Sequence, residues 1–216
     1  MVRIYPSLMA ADPLCLKNEV QLLAPYCAGF HLDVMDNKFV PNKALSREEV
    51  NAIAQMGSPA WVHLMVENPD VFYDTLLLAD DSIVSFHIES NVDVFWFIKI
   101  IREKKHKVSI AISPKTPISR IVSFLGSVDQ VLLMSVEPGF SGQPFLKSSL
   151  DRLIELVVYR QEYGNTFRIG IDGGIDATNI TTVVEKGVDD CAVGGGIFQQ
   201  QDHVVALQKL QELVVK

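Results

Sequence analysis

The sequence predicts a single (β/α)8 TIM barrel, and three observations carry that prediction. Short β-branched or apolar runs alternate with longer stretches of helical period from one end of the chain to the other. Eight such strand–helix units fit into 216 residues, at about 27 residues each, which suits a barrel with few insertions. The position after the first strand, where an open dinucleotide-binding sheet would carry G-x-G-x-x-G, reads Ser7-Leu8-Met9-Ala10-Ala11-Asp12 instead. No linker interrupts the alternation, so residues 1–216 read as one compact α/β domain.

Taken in order, the strands are expected over residues 3–9, 30–35, 61–66, 83–88, 108–113, 130–136, 168–172 and 190–193. Each is a short apolar or β-branched run of the kind that a parallel sheet covered on both faces requires. Helices are expected to start near Cys15, Ser46, Asn68, Val92, Ile118, Leu146, Asp176 and Asp202. Several of these openings place Ser, Asn or Asp before an acidic first turn, which satisfies free N–H groups and complements the helix dipole. The run Arg102-Glu103-Lys104-Lys105-His106-Lys107 reads as a solvated helix C-terminus.

Composition restricts the function classes. The chain is 48% hydrophobic and 21% charged, ordinary for a globular protein. With 19 basic against 26 acidic residues its formal charge is −7, which argues against a general attraction to nucleic acid or an anionic membrane. The longest uncharged apolar stretches, 94–98 and 156–159, are far too short for a bilayer, and the first residues lack an apolar signal segment. Cys15, Cys27 and Cys191 contain no C-x-x-C pair and read as reduced thiols, Cys15 and Cys27 within helix-like patterns where buried thiols are common. A cytoplasmic location is the expectation.

In such a barrel, side chains at the carboxyl ends of strands face a common mouth. Strand period puts His31, Asp33 and Met35 on one face and Leu32 and Val34 on the other. The third strand puts His63 and Met65 on one face, and the seventh ends at Asp172-Gly173-Gly174. His31 or His63 alone would read as a satisfied core histidine. Two imidazoles and two carboxylates in one mouth are hard to explain as packing, and they make a mixed N/O ligand set suited to a divalent transition metal.

Asp33 and Asp172 lie on strands three steps apart around the ring, so they approach a central ligand from different sides. One could remove a proton and the other return it, which suits inversion at a carbon beside a carbonyl, with a metal stabilising the enediolate between the two transfers. Met35, Met65 and Met134 would form an apolar cover over that planar species, although methionines at strand ends are commonly core filler. Ser7 could donate to a substrate oxygen or serve as a turn hydroxyl. His87 and Glu89 could serve to hydrogen-bond the ligands.

Glycines supply the second half of the site. Pro138-Gly139-Phe140-Ser141-Gly142-Gln143, Gly173-Gly174 and Gly194-Gly195-Gly196 follow the last three strands. Each cluster alone reads as a tight turn. On neighbouring loops, with free backbone N–H groups, they read together as a phosphate cup.

The ordered series Pro6-Ser7-Leu8-Met9, His31-Leu32-Asp33-Val34-Met35-Asp36, Phe39-Val40-Pro41-Asn42, His63-Leu64-Met65-Val66, Pro138-Gly139-Phe140-Ser141-Gly142-Gln143 and Asp172-Gly173-Gly174 closely resembles the ribulose-phosphate 3-epimerase family. The resemblance is colinear over nearly the whole chain. It implies a metal-dependent barrel interconverting ribulose 5-phosphate and xylulose 5-phosphate. It further implies His31, Asp33, His63 and Asp172 as ligands of one divalent ion (Zn, Fe, Mn or Co), with Asp33 and Asp172 as the acid/base pair. Ser7 and His63 correspond to substrate contacts, and Ser141, Gly142, Gly173, Gly174, Gly194 and Gly195 to phosphate-contacting loops. The implied partners are a phosphorylated ketose and further copies of the chain, as a dimer or hexamer.

The chain departs from the family pattern at Ser141, where glycine is usual, at Gly195, where serine is usual, and at Lys43-Ala44-Leu45-Ser46 beside the mouth. Ser7-Leu8-Met9 and Gly142-Gln143-Pro144-Phe145 stand closer to allulose-6-phosphate 3-epimerases, whose sugar is one carbon longer. A hexulose-phosphate synthase-like lyase and a catalytically silent sugar-phosphate-binding barrel are the remaining alternatives.

Overall fold

Residues 1–57, 59–164 and 167–215 are described by the structure, a computed structural model. The eight expected runs form eight parallel strands: β1 (Arg3–Pro6), β2 (Phe30–Met35), β3 (Ala60–Met65), β4 (Ile83–His87), β5 (Lys107–Ile112), β6 (Gln130–Met134), β7 (Arg168–Asp172) and β8 (Asp190–Val193). From β2 to β8 each strand pairs with the next, and β1 pairs with β8. A parallel bridge between Ser7 and His31 joins β1 to β2 and closes the ring.

Helices α1 (Leu16–Leu23), α2 (Arg47–Ala54), α3 (Pro69–Tyr73), α4 (Val94–Glu103), α5 (Ser149–Glu162), α6 (Ile180–Glu185), α7 (Gly195–Phe198) and α8 (His203–Val214) pack outside. Their starts follow from local chemistry. Ser46 and Glu49 form a capping box on α2, Asp93 accepts from the Trp96 N–H on α4, and Asp202 accepts from the Val205 N–H on α8. None of the helices among the described residues is long and apolar enough to cross a membrane.

Three expectations are corrected. The segment from Ile118 forms two 3-10 turns, Ile118–Arg120 and Val122–Ser127, in place of an α-helix. Val122, Ser123 and Gly126 are poor helix formers, and burial of Ile118, Ile121 and Leu125 fixes the segment instead. The first strand ends at Pro6, after which Leu8–Ala10 turns across the mouth as a 3-10 segment. Cys15 and Cys27 are half-buried, Cys15 at the cap of α1 and Cys27 beyond its end, whereas Cys191 is buried.

The main apolar core lies between the sheet's outer face and the helices, where Leu32, Val34, Val62, Leu64 and Ile171 turn outward. A second cluster, including Tyr5, Trp61, Leu132, Met134 and Ala192, fills the barrel itself. Trp61 spans that interior: a Cβ on Gly170 would lie 2.8 Å from its Cη2, so β7 needs glycine there. Below Trp61 the bottom of the barrel is polar. Asp190 accepts from Arg3 and Arg168, and Gln130 links Asp190 to Ser109. Above it stands the site.

Candidate active site and metal centre

Register brings the four predicted ligands together. Asp33 on β2 is directly opposite His63 on β3, and His31 precedes Asp33 by one full strand period on the same face. Asp172, at the end of β7, faces them across the ring. One ligand atom from each of His31, Asp33, His63 and Asp172 lies within 4.8 Å of every other. His31 Nε2 is 3.2 Å from Asp33 Oδ1 and 3.6 Å from Asp172 Oδ2, and His63 Nδ1 is 3.1 Å and 3.5 Å from the same two oxygens.

The donor set fits a divalent ion. Two imidazoles and two carboxylates match borderline transition metals better than Mg²⁺, which prefers oxygen and water. The state of His31 supports the fit: the residue is fully buried, yet neither ring nitrogen makes a hydrogen bond among the described residues. Its Nε2 is close to both carboxylates without a hydrogen bond to either, an arrangement suited to a lone pair meeting a cation between them.

Electrostatics agree. Burial disfavours charge on His31, but the carboxylates of Asp33 and Asp172 outweigh it and raise its pKa to about 10. Burial likewise opposes the ionised form of Asp33 and of Asp172, and the adjacent His31 and His63 more than offset it, holding both well below the usual carboxylate range. The pair therefore stays ionised at neutral pH beside positive charge. A divalent cation could take the place of the imidazole protons.

Surrounding residues aim the four. Ser7 Oγ donates to Asp33 Oδ2 at 2.8 Å. Ser135 Oγ is 2.9 Å from the Asp172 carbonyl and 2.6 Å from that of Gly173, fixing the end of β7. His63 Nε2 is 2.9 Å from His87 Nε2, and His87 Nδ1 is 3.1 Å from Glu89 Oε2. Burial and the neighbouring His63 keep the His87 pKa low despite Glu89, while His87 holds Glu89, against burial, at about 2.

A cavity of about 490 Å³ opens above Asp33 and Asp172. Met35, Met65 and Met134 line it with Ser7, and on the opposite side lie Ser141, Gly142, Gly173, Gly174, Gly194 and Gly195. Two of these glycines are demanded by conformation and contact. Gly173 has φ +119° and Gly174 φ +65°, and a Cβ on Gly174 would lie 2.5 Å from the Phe145 backbone nitrogen. The loops after β6 and β7 are thus closely packed. Asn42 Nδ2 donates to the Gly139 carbonyl at 2.8 Å, tying the loop after β2 to the same rim.

His31 and His63, in contrast, lie fully buried outside the cavity lining. The two ring nitrogens of His63, which the resemblance also implied as a substrate contact, face Asp33 and His87. Sequence reasoning assigned no role to Ser135, Trp61, Asn42 or Gln199. Gln199 lines the cup, and its side chain stands 3.2 Å from where a Cβ on Gly195 would be. Its place on the turn after Gly194-Gly195-Gly196 was the available signal.

Comparison with known proteins agrees with this geometry. Residues 3–198 match the profile of the Ribulose-phosphate 3 epimerase family. The ribulose-phosphate 3-epimerase of Aquifex aeolicus is 38% identical over 217 residues, covering 100% of this chain and 98% of that protein. That of Escherichia coli is 33% identical over 216 residues, covering 99% and 96%. Among solved structures, 3-hexulose-6-phosphate synthase from Salmonella typhimurium superposes with a TM-score of 0.72 at 12% identity, covering 99% of this chain and 98% of that one. This last likeness is one of fold.

Proposed function

Because the chain belongs to the ribulose-phosphate 3-epimerase family, we propose that it interconverts D-ribulose 5-phosphate and D-xylulose 5-phosphate by moving a proton at C3. The observation that carries the reading is the convergence of His31, Asp33, His63 and Asp172 beneath a cavity walled by glycine loops.

His31 Nε2, His63 Nδ1 and the carboxylates of Asp33 and Asp172 would hold one divalent ion, of zinc, iron, manganese or cobalt. Bound there, the ion supplies Lewis acidity that stabilises negative charge on ketose oxygens and makes the neighbouring C–H a stronger acid. The protein's own groups do the rest. One carboxylate takes the C3 proton and the other returns one to the opposite face, with Asp33 and Asp172 exchanging roles according to direction. Ser7, by donating to Asp33 Oδ2, holds that carboxylate in place. Met35, Met65 and Met134 offer an apolar surface over the planar enediolate and exclude water from it. The backbone at Ser141, Gly142, Gly173, Gly174, Gly194 and Gly195 would receive the phosphate, since absence of a side chain at five of these six positions lets a ligand approach the main chain.

The proposal extends to a cytoplasmic enzyme, supported by three cysteines that remain free in the structure, and to self-association, supported by family resemblance. A lyase reading is not favoured by the family match, and formaldehyde release would be its signature. The test is incubation of each phosphoketose in deuterated solvent. Given ribulose 5-phosphate, wild-type protein should form xylulose 5-phosphate that carries deuterium at C3. Turnover restricted to hexulose 6-phosphates would transfer the substrate to the longer sugar, and absence of exchange with any ketose phosphate would reject epimerisation.

A further inference from the structure

Glu89 stands outside the four-residue cluster, yet it decides which nitrogen of His63 presents a lone pair to that cluster. An ionised carboxylate only accepts hydrogen bonds. Glu89 Oε1 accepts from the Ser113 N–H at 3.0 Å, and Oε2 faces His87 Nδ1 at 3.1 Å, so His87 Nδ1 must be the donor. A neutral His87 with its proton on Nδ1 has a lone pair on Nε2. That atom is 2.9 Å from His63 Nε2, and two nitrogens at this distance share one proton, which His63 therefore supplies. Once a cation replaces the proton on Nδ1, the atom 3.1 Å from Asp33 Oδ1 and 3.5 Å from Asp172 Oδ2, His63 protonated on Nε2 turns its Nδ1 lone pair to that cation.

We propose that His87 and Glu89 are positioning residues for His63, fixing its tautomer and ring plane so that Nδ1 is delivered to a divalent cation. This rests on the ion-binding reading of the cluster given above. The opposite tautomer of His87 would donate from Nε2, force His63 Nε2 to accept, and turn an N–H of His63 toward the cation position.

The chain of contacts is built to resist that reversal. Ser113 Oγ, 3.3 Å from His87 Nδ1, can share the same proton. Arg152 donates to the Ser113 carbonyl at 2.8 Å and the Thr116 carbonyl at 2.7 Å, pinning the loop that carries both partners of Glu89 and His87. Phe39 covers His87 with ring centroids 4.8 Å apart, and His87 is fully buried, so water does not compete for its nitrogens. His31 has no comparable partner on either nitrogen among the described residues, so the device is specific to His63.

The test measures Zn²⁺ affinity by competition with a chelating indicator, in wild type, His87→Leu, His87→Gln and Glu89→Gln, alongside ¹⁵N NMR of the zinc-loaded wild type. His87→Leu should lose about 10- to 100-fold in affinity, as outer partners of metal-bound histidines generally do. Glu89→Gln should fall in the same direction. His87→Gln, whose amide oxygen can accept from His63 Nε2, should stay within about threefold of wild type. The NMR spectrum should place the protons on His63 Nε2 and His87 Nδ1. Wild-type affinity in His87→Leu, or a proton on His87 Nε2, overturns the proposal, and the spectrum decides alone if the variants do not fold. Wild type that binds no Zn²⁺ removes the ion-binding reading itself, whereas tight binding in both wild type and His87→Leu removes only this relay.

Discussion

Trp61 stands perpendicular to His31, with ring centroids 4.6 Å apart and an interplanar angle of 89°. His31 makes no hydrogen bond through either nitrogen among the described residues, so packing against this indole takes over the orienting role that His87 plays for His63. Trp61 is itself anchored, because its Nε1–H donates to Ser85 Oγ at 2.8 Å and its far edge rests against Gly170. Trp61→Phe should therefore cost about 2–4 kcal/mol of stability, from lost buried volume and an unpaired Ser85 hydroxyl. It should also weaken Zn²⁺ binding about tenfold by loosening His31. Urea unfolding and zinc titration check the two effects separately, and an unchanged zinc affinity would show that His31 does not depend on its floor.

Asp33→Asn and Asp172→Asn address the proton transfers. Each removes one carboxylate of a pair facing the same ligand atoms, and general acid–base groups contribute about 10²- to 10⁴-fold to rate. Turnover should fall by at least that factor in both variants. The two should differ in C3 exchange, since a variant retaining one functional carboxylate can still take a proton from one of the two epimers. Epimerisation at wild-type rate in either variant contradicts the assigned roles.

Removal of divalent ions with a chelator should abolish turnover, and Zn²⁺, Mn²⁺ or Co²⁺ should restore it. An ion bound to the folded state alone stabilises by RT ln(1 + [L]/Kd), about 2.7 kcal/mol at a concentration of 100 Kd, so the thermal midpoint should rise with added metal. Full activity in protein shown by elemental analysis to be ion-free would refute the metal centre.

Much of this was legible in the chain because the relevant periods are short. Alternation along His31-Leu32-Asp33-Val34-Met35 is enough to put two ionisable groups on the inward face, and the (β/α)8 repeat is enough to say that strand ends share a mouth. The ring order follows from the sequential pairing of parallel strands, and β7 does lie three steps from β2 around the ring. What sequence could not supply depends on register between strands and on side chains that bridge layers. The contact of His63 with His87 requires β3 and β4 to be in register at His63 and Ser85, which no local pattern specifies. The crossing of Trp61 over Gly170 joins strands separated by more than a hundred residues. Ile118 misled because its apolar spacing is helical, while Ser123 and Gly126 favour tighter turns.

Gly174→Ala tests the cup independently of the cluster. The residue has φ +65°, and its added Cβ would lie 2.5 Å from the Phe145 nitrogen and 2.9 Å from the Gln143 carbonyl oxygen, both backbone atoms. The loops after β6 and β7 must separate to admit it. KM for the phosphorylated ketose should rise at least about tenfold with a smaller change in kcat, and inhibition by inorganic phosphate should weaken in parallel. A KM equal to that of wild type would mean that these loops do not hold the phosphate.

The bottom of the barrel yields a stability prediction with a defined pH sign. Asp190 is fully buried, and Arg3 and Arg168 each approach it within 2.7 Å with side chains 37% exposed. Burial alone would push the Asp190 carboxyl up, but hydrogen bonds from Arg168 and Arg3 more than offset this and hold it below its ordinary value of 3.8. A carboxyl depressed in the folded state stabilises fully above its unfolded pKa and loses that contribution as pH falls through the folded value. Asp190→Asn should cost about 3 kcal/mol at pH 7, toward the low end for a broken buried pair because both guanidinium groups reach water. The gap between wild type and variant should narrow in urea unfolding as pH is taken from 5 toward 2. A gap that is constant across that range would assign the loss to packing and not to charge.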